Sequence, residues 1–259
     1  GRRYWSLVLE RSKRVPLAYV LGFQEFMGLK LKVRPCVLIP RPETEQLVEA
    51  VLQALTGGSG ASSASGSSAR PAAAELHILE IGAGSGCVSV ALAVKLPSAT
   101  VYATDISKSA LDLAEENARA HGVSSRVRFL REDLFKPVKA GSPSGWADVL
   151  VSNPPYIPSR DILGLDEEVR KEPYLALDGG RDGLEAIRAI VSDSPRLLKP
   201  GGLLALEIGA GQARAVRELL ERPRLPPSPS EGSAFFTDVW IRQDLQGVDR
   251  IATARLRAA

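Results

Sequence analysis

Residues 153–156 read Asn-Pro-Pro-Tyr and follow directly on the apolar run Asp148 to Ser152. A strand that ends in Asn and is followed by two prolines has little conformational freedom. Each proline fixes its own φ at about −65° and pushes the residue before it toward extended geometry. The side-chain oxygen of Asn153 and the carbonyl of Pro154 are thereby placed to accept both N–H bonds of a planar amino group, held rigid by Pro155, with the Tyr156 ring against its flat face. An amide or aniline-like nitrogen is a poor nucleophile because its lone pair is delocalised. Such a site works by orientation and by stabilising the charge that develops on nitrogen. The competing reading is a proline-bounded turn after a strand.

A second constellation begins at Leu76 to Ile81, an apolar stretch with Glu80 near its end. It runs into Gly82-Ala83-Gly84-Ser85-Gly86, after which Val88 to Leu96 has helical composition. Glycines permit the turn and let a ligand approach the backbone, and the helix start offers free N–H groups. A dinucleotide fingerprint needs glycine at 87, where this chain has Cys87. The pattern present, G-x-G-x-G with an acid two positions before it, suits S-adenosylmethionine, which has no pyrophosphate to cradle.

A further strand, Thr100 to Thr104, ends in Asp105, nineteen residues after Gly86, where a carboxylate accepts from both ribose hydroxyls of either cofactor. The strand Arg126 to Leu130 leads to Glu132-Asp133-Leu134; an acid there suits the adenine amine, with Leu134 or Phe135 over the ring. Singly, each acid reads as a solvated strand end. Together with the glycine loop and Asn-Pro-Pro-Tyr they form the carboxyl edge at which open parallel sheets bind ligands.

The remaining residues must position these groups. At 259 residues and 44% hydrophobic content the chain can bury one substantial core plus a small appendage. The net charge of +3, from 33 basic and 30 acidic residues without long basic runs, argues against holding nucleic acid by charge, so no stable nucleic-acid binding is expected. Cys36 and Cys87 stand far apart and outside any metal spacing, which points to a reducing compartment and no metal. His77 and His121 are assigned no role. No apolar run approaches the roughly 18 residues of a membrane span, so a soluble protein is expected. The first residues, Gly-Arg-Arg-Tyr-Trp, lack an initiator Met, so the sequence neither supports nor excludes a targeting peptide.

Along the chain, residues 3 to 14 read as the end of a helix stopped by Pro16, and Gly22 to Val33 as a hairpin turning at Met27-Gly28. Leu38-Ile-Pro40-Arg-Pro42-Glu-Thr-Glu45 leads into a helix through about Leu55, with Thr44 or a neighbour as cap and the two prolines around Arg41 fixing an extended segment. Residues 57–74 are Gly, Ser and Ala-rich and read as a flexible loop, as do 223–232. After a turn-rich stretch over 167–183, a helix from about Leu184 to Leu198 is broken by Lys199-Pro-Gly-Gly202. A buried strand over Leu203 to Ile208 and a helix from Gln212 to Arg222 follow. The last strands, Phe235 to Arg242 and Arg250 to Leu256, flank a turn at Gln246-Gly247. The fold class expected is α/β: a Rossmann-like, mostly parallel seven-stranded sheet with an antiparallel terminal hairpin, as in class I S-adenosylmethionine-dependent methyltransferases. Residues 1–37 form a small helix and hairpin connector, and 38–259 the catalytic domain.

In these motifs the chain resembles the HemK/PrmC group of protein-glutamine N5-methyltransferases. The likeness runs from Pro16 to Gly22 through Ile39 to Glu45, Glu80 to Gly86, Asn153 to Tyr156 and Ala176 to Leu184, to Gln243-Asp244-Leu245-x-Gly247-x-Asp249-Arg250. Asn-Pro-Pro-Tyr alone also occurs in enzymes that methylate adenine N6; joined to Ile-Pro-Arg-Pro-Glu-Thr-Glu it is far more specific. The resemblance implies S-adenosylmethionine as cofactor, S-adenosylhomocysteine as product and the Gly-Gly-Gln loop of a peptide-chain release factor as partner. It also implies an amino-terminal helical recognition domain of which only the last helix is present in 1–37. Gly82, Ala83, Gly84, Ser85 and Gly86 would hold the methionine part, Asp105 the ribose and Asp133 with Leu134 the adenine, with Glu80 and Ile106 also binding the cofactor. Asn153, Pro154, Pro155 and Tyr156 would bind and activate the glutamine amide, with Asn153 also near the cofactor and Arg41 and Glu43 on the substrate side. A monomer is expected, in bacterial cytoplasm or, in a eukaryote, in mitochondria or another organelle. The alternatives are methylation of a ribosomal-protein glutamine, adenine-N6 methylation of nucleic acid, and a non-enzymatic assembly factor that has kept the cofactor fold.

Overall fold

The computed structural model describes residues 2–56, 75–133, 145–221 and 236–258. The loops expected at 57–74 and 223–232, together with Leu134 and Phe135, lie outside the described residues. Helix α1 (Arg2–Ser12) is followed by a short helix α2 (Leu17–Leu21), so Pro16 does more than end a helix. It sits at the N-cap of the next one, where its fixed φ and missing N–H cost nothing.

Strands β1 (Phe23–Phe26) and β2 (Leu29–Lys32) pair as an antiparallel hairpin. Both turn residues, Met27 and Gly28, have positive φ, the two-residue turn that matches strand twist. The hairpin is bound on two sides: Met27 N donates to Glu45 Oε1 at 2.6 Å, and Lys32 N to Asn117 Oδ1 at 2.8 Å. Phe26 and Leu31 are fully buried, each contributing about 1.5–3 kcal/mol by area removed from water.

Helix α3 (Pro42–Thr56) begins with Pro42 in its first turn, a position where proline is pre-organised, and carries Glu43 and Glu45 against the positive end of the helix. Thr44 is already inside the helix and does not cap it. Its N–H goes to the Arg41 carbonyl at 3.1 Å, and its hydroxyl is used elsewhere.

The main sheet is built from β3 (Leu76–Ile81), β4 (Ala99–Asp105), β5 (Val127–Arg131), β6 (Ala147–Ser152), β7 (Leu198–Glu207), β8 (Phe236–Gln243) and β9 (Asp249–Leu256). Their order is β5-β4-β3-β6-β7-β9-β8, parallel except for β9, which runs antiparallel to both β7 and β8. Period-two alternation divides its side chains between two cores. Ile78, Val149, Val151, Leu203 and Ala205 face α3, α4 (Cys87–Lys95) and α5 (Lys108–Ala120). Leu79, Ile81, Leu150, Leu204 and Leu206 face α6 (Glu185–Leu197) and α7 (Ala213–Glu221). With both faces covered, the central strands carry near-continuous apolar runs.

The segment Lys199-Pro-Gly-Gly202 does not separate α6 from the next strand, as the sequence suggests. It lies within β7, which starts at Leu198 directly after the helix. Between the pairs Ala147↔Leu198 and Val149↔Leu203 the strand carries extra residues, so proline and the glycines form an irregularity in the ladder. Among the described residues no helix is long and apolar enough to cross a membrane.

Candidate active site

The strand order reverses between β3 and β6: the chain builds outward from β3 through β4 to β5, then returns to add β6 on the other side. Crevices form at such a switch point, beyond the carboxyl ends of the strands. The glycine loop leaves the end of β3, and Asn153 leaves the end of β6.

Gly82, Gly84 and Gly86 all have positive φ, which L side chains rarely adopt. The loop is fastened from below by Asp105 at the end of β4, whose Oδ2 accepts from Gly84 N and whose Oδ1 accepts from Ser107 N, both at 2.8 Å. Burial raises the Asp105 carboxyl, and these backbone N–H groups oppose the shift. Asn117 on α5 holds the other side, donating to the Ser85 carbonyl at 2.9 Å. Ser107 caps α5 by accepting from Ala110 N at 3.2 Å.

Around the loop lies a cavity of about 310 Å³, within the usual size of a small-molecule site. Glu80, Gly82 to Ser85, Asp105 and Ile106 form its floor. Its roof comes from two segments distant in sequence, Cys36 to Leu38 with Pro40 before α3 and Pro173 to Ala176 after β6. Glu80 is buried, and among the described residues its Oε2 has no hydrogen-bond partner. Burial pushes this carboxyl up to about 8. A cationic nitrogen in the cavity would satisfy the free oxygen and reverse the shift.

A second cavity of about 300 Å³ adjoins the first, lined by Glu43, Pro154, Tyr156, Ile157, Glu207 and Arg250. Leu38, Arg41, Asn153 and Ala176 line both cavities. Asn153 therefore stands in the wall between them. Its Nδ2 donates to Thr44 Oγ1 at 3.0 Å, which leaves the carboxamide oxygen as the end available to a ligand. The Thr44 hydroxyl donates in turn to Glu207 Oε2 at 2.7 Å, and the Tyr156 hydroxyl donates to Glu207 Oε1 at 3.2 Å. Glu207 is buried, and burial pushes its carboxyl up to about 7 against the two hydroxyls and Arg250. Burial and the Glu207 charge push the Tyr156 phenol up as well, so it stays protonated.

The loop after Tyr156 is buttressed closely. A Cβ at Gly183 would collide with the Tyr156 carbonyl, and one at Gly179 would lie 2.8 Å from the Pro155 carbonyl. Gln212 Nε2 donates to the carbonyls of Tyr156 at 3.0 Å and Gly183 at 3.1 Å. Asp178 accepts from Ser159 Oγ at 2.6 Å and from Gly180 N at 3.0 Å. Arg41, although it lines both cavities, is ion-paired with the buried Glu172, which also accepts from Ile39 N at 2.9 Å. This pair ties the segment before α3 to the loop that roofs the site.

The structure thus gathers Glu80, Gly82, Ala83, Gly84, Ser85, Asp105, Ile106, Asn153 and Pro155 around the first cavity and Arg41, Glu43, Pro154 and Tyr156 around the second. Gly86 and Asp133 line neither. Gly86 serves packing instead: a Cβ there would lie 3.0 Å from the Ala114 Cβ of α5. Glu132 rather than Asp133 lines the first cavity, and Leu134 lies outside the described residues. Sequence reasoning missed the site roles of Thr44, Glu172 and Glu207. A signal for Glu207 was present, since Leu206-Glu207-Ile208-Gly209 repeats Leu79-Glu80-Ile81-Gly82 and sets an acid at the same place on a second buried strand.

Comparison with known proteins gives this geometry a lineage. Residues 68–164 match the family described as "Methyltransferase small domain". The release factor glutamine methyltransferase of Moorella thermoacetica is 46% identical over 217 residues, covering 84% of this chain and 70% of that protein. The chain belongs to the release factor glutamine methyltransferase family. A second member, from Geobacter sulfurreducens, is 43% identical over 252 residues, 97% of this chain and 77% of its own length. The fold of this family member is also that of a solved methyltransferase from Pyrococcus furiosus, with a TM-score of 0.55 at 18% identity, covering 90% of this chain and 91% of that one. Its sheet, mostly parallel with an antiparallel edge, is that of a class I methyltransferase.

Proposed function

We propose that this chain transfers a methyl group from S-adenosylmethionine to the side-chain amide nitrogen, N5, of the glutamine in the Gly-Gly-Gln motif of a peptide-chain release factor, with S-adenosylhomocysteine as the other product. The observation that carries the reading is the position of Asn153, an acceptor fixed in the wall between two cavities of similar size. One cavity fits the cofactor: glycine backbone where a ligand must come close, Asp105 at the end of the neighbouring strand for the ribose, and a Glu80 oxygen without a partner among the described residues, suited to an α-ammonium group. When bound there, the cofactor supplies an electrophilic methyl group on a sulfonium.

The protein's own part is orientation and charge stabilisation. Asn153 Oδ1 and the Pro154 carbonyl accept the two amide N–H bonds and turn the nitrogen toward the first cavity. As the nitrogen lone pair forms the new N–C bond, both acceptors stabilise the positive charge growing on it. They hold the acidified proton until water takes it. Tyr156 packs beneath the flat amide, fixed by its bond to Glu207. Action on a release factor places the reaction where translation runs, in bacterial cytoplasm or a eukaryotic organelle.

Mass spectrometry of a Gly-Gly-Gln release factor after incubation with the protein and S-adenosylmethionine tests the reading. One added methyl group on that glutamine is expected. An unmodified glutamine, with methyl appearing instead on DNA or RNA tested in parallel, would overturn it.

A further inference from the structure

Thr44 and Glu207 touch no reacting atom in the transfer just described, yet Thr44 is joined to it through Asn153, and Glu207 through Thr44 and Tyr156. The donor and acceptor roles along this chain follow from counting hydrogens. An ionised carboxylate only accepts, and a threonine hydroxyl has a single hydrogen to give. With Thr44 Oγ1 at 2.7 Å from Glu207 Oε2, that hydrogen belongs to Glu207. The hydroxyl then offers only lone pairs to its other neighbour, which at 3.0 Å is the Asn153 carboxamide, and only the –NH2 end can meet it. The other Glu207 oxygen accepts from the Tyr156 hydroxyl at 3.2 Å, so each oxygen of the ionised carboxylate has a donor.

We propose that Glu207 and Thr44 are positioning residues that set which end of the Asn153 carboxamide faces the substrate, making the clamp an acceptor for an amide N–H. Without that relay the two ends of the carboxamide are close in shape, and the flipped form presents N–H to N–H. The relay acts on the methyl-accepting amide, so the inference rests on the proposed glutamine methylation. Glu207 is also placed where protonation would undo the relay, because a neutral carboxyl can donate to Thr44 and release its direction. The groups that face it are Thr44 and Glu43 from α3, Cys87 at the start of α4, Tyr156 after β6 and Arg250 on β9.

The test compares wild-type protein with Thr44→Val, Thr44→Ser and Glu207→Gln, using a Gly-Gly-Gln release factor as substrate. Methyl-transfer rates across pH are read together with S-adenosylmethionine affinity by calorimetry and thermal midpoints. Thr44→Val is expected to lower kcat by about 10- to 100-fold with KM and cofactor affinity within about threefold of wild type, and Thr44→Ser to recover most of the loss. Wild-type kcat is expected to rise with pH through about 7, the Glu207 value, and the Glu207→Gln rate to be flat there.

Wild-type transfer together with an undiminished Thr44→Val rate overturns this inference alone. So does a Thr44→Val loss that Thr44→Ser does not recover. If Thr44→Val does not fold, an acid limb of kcat at saturating S-adenosylmethionine that persists near pH 7 in Glu207→Gln overturns it. No transfer by the wild-type protein overturns both the inference and the function it rests on.

Discussion

At Asn153 one end of a carboxamide is bound to Thr44 and the other is left free for the proposed substrate, and this division sets what a mutation there should do. Replacing Asn153 with Ala removes an acceptor that matters most when positive charge appears on the substrate nitrogen. A fall in kcat of about 100-fold or more is expected, with S-adenosylmethionine affinity changing by less than about tenfold. Single-turnover kinetics and calorimetry separate the two quantities, and a near wild-type rate would sink the clamp. The Asn-Pro-Pro-Tyr motif declares itself in sequence because its chemistry is contiguous. Its support by Thr44 and Glu207 does not, since those residues lie 109 and 163 positions away from their partners in the two hydrogen bonds that form the relay.

Among the elements, the turn over Asp178 to Gly183 is the one that fixes the height of the active loop. Gly183 has a φ of +77° and the Tyr156 carbonyl directly over its missing Cβ. Gly183→Ala is expected to cost about 2 kcal/mol or more and to lower kcat as Tyr156 is displaced. Gly201 is a fitting control: it has the same φ of +77°, but nothing lies within 4 Å of a Cβ there. Gly201→Ala should cost only about 1 kcal/mol and leave turnover unchanged, as urea unfolding and initial rates would show. Period-two and helical patterning make most strands and helices legible from the order of residues alone. They fail where local chemistry and tertiary pairing disagree, as at Lys199-Pro-Gly-Gly202, whose turn-like composition is drawn into β7 by pairing with β6.

For the whole molecule, the two buried carboxyls couple folding to pH. Glu80 is raised from 4.5 to about 8 and Glu207 from 4.5 to about 7, both chiefly by burial. Their neutral forms favour the folded state, so their contribution is fully present below pH 4.5 and is lost as pH rises through about 7 and then 8. The thermal midpoint of the ligand-free protein should therefore decline from about pH 5 to 8.5, and the pair Glu80→Gln and Glu207→Gln should flatten that decline. S-adenosylmethionine, whose ammonium favours ionised Glu80, should oppose it and bind more tightly as pH rises through that range. Differential scanning calorimetry with and without cofactor would check both. A midpoint that climbs over this interval would contradict the burial of these acids.

The order of residues alone was enough for the parallel sheet, the glycine loop, the acids at the ends of β3 and β4 and the proline-bounded Asn153 at the end of β6. Each of these is written in neighbouring residues: a run of buried apolar side chains, a glycine spacing, a pair of prolines. Only the tertiary structure decided which surfaces meet at the switch between β3 and β6. That meeting put Pro173 to Ala176 over the first cavity, paired Arg41 with Glu172, and set Glu132 rather than Asp133 on the cavity wall. It also turned Thr44 from an apparent helix cap into the link between Glu207 and Asn153. The physical reason is that a hydrogen bond is set by distance and direction in space, and residues on α3, β6 and β7 acquire those only when the sheet packs.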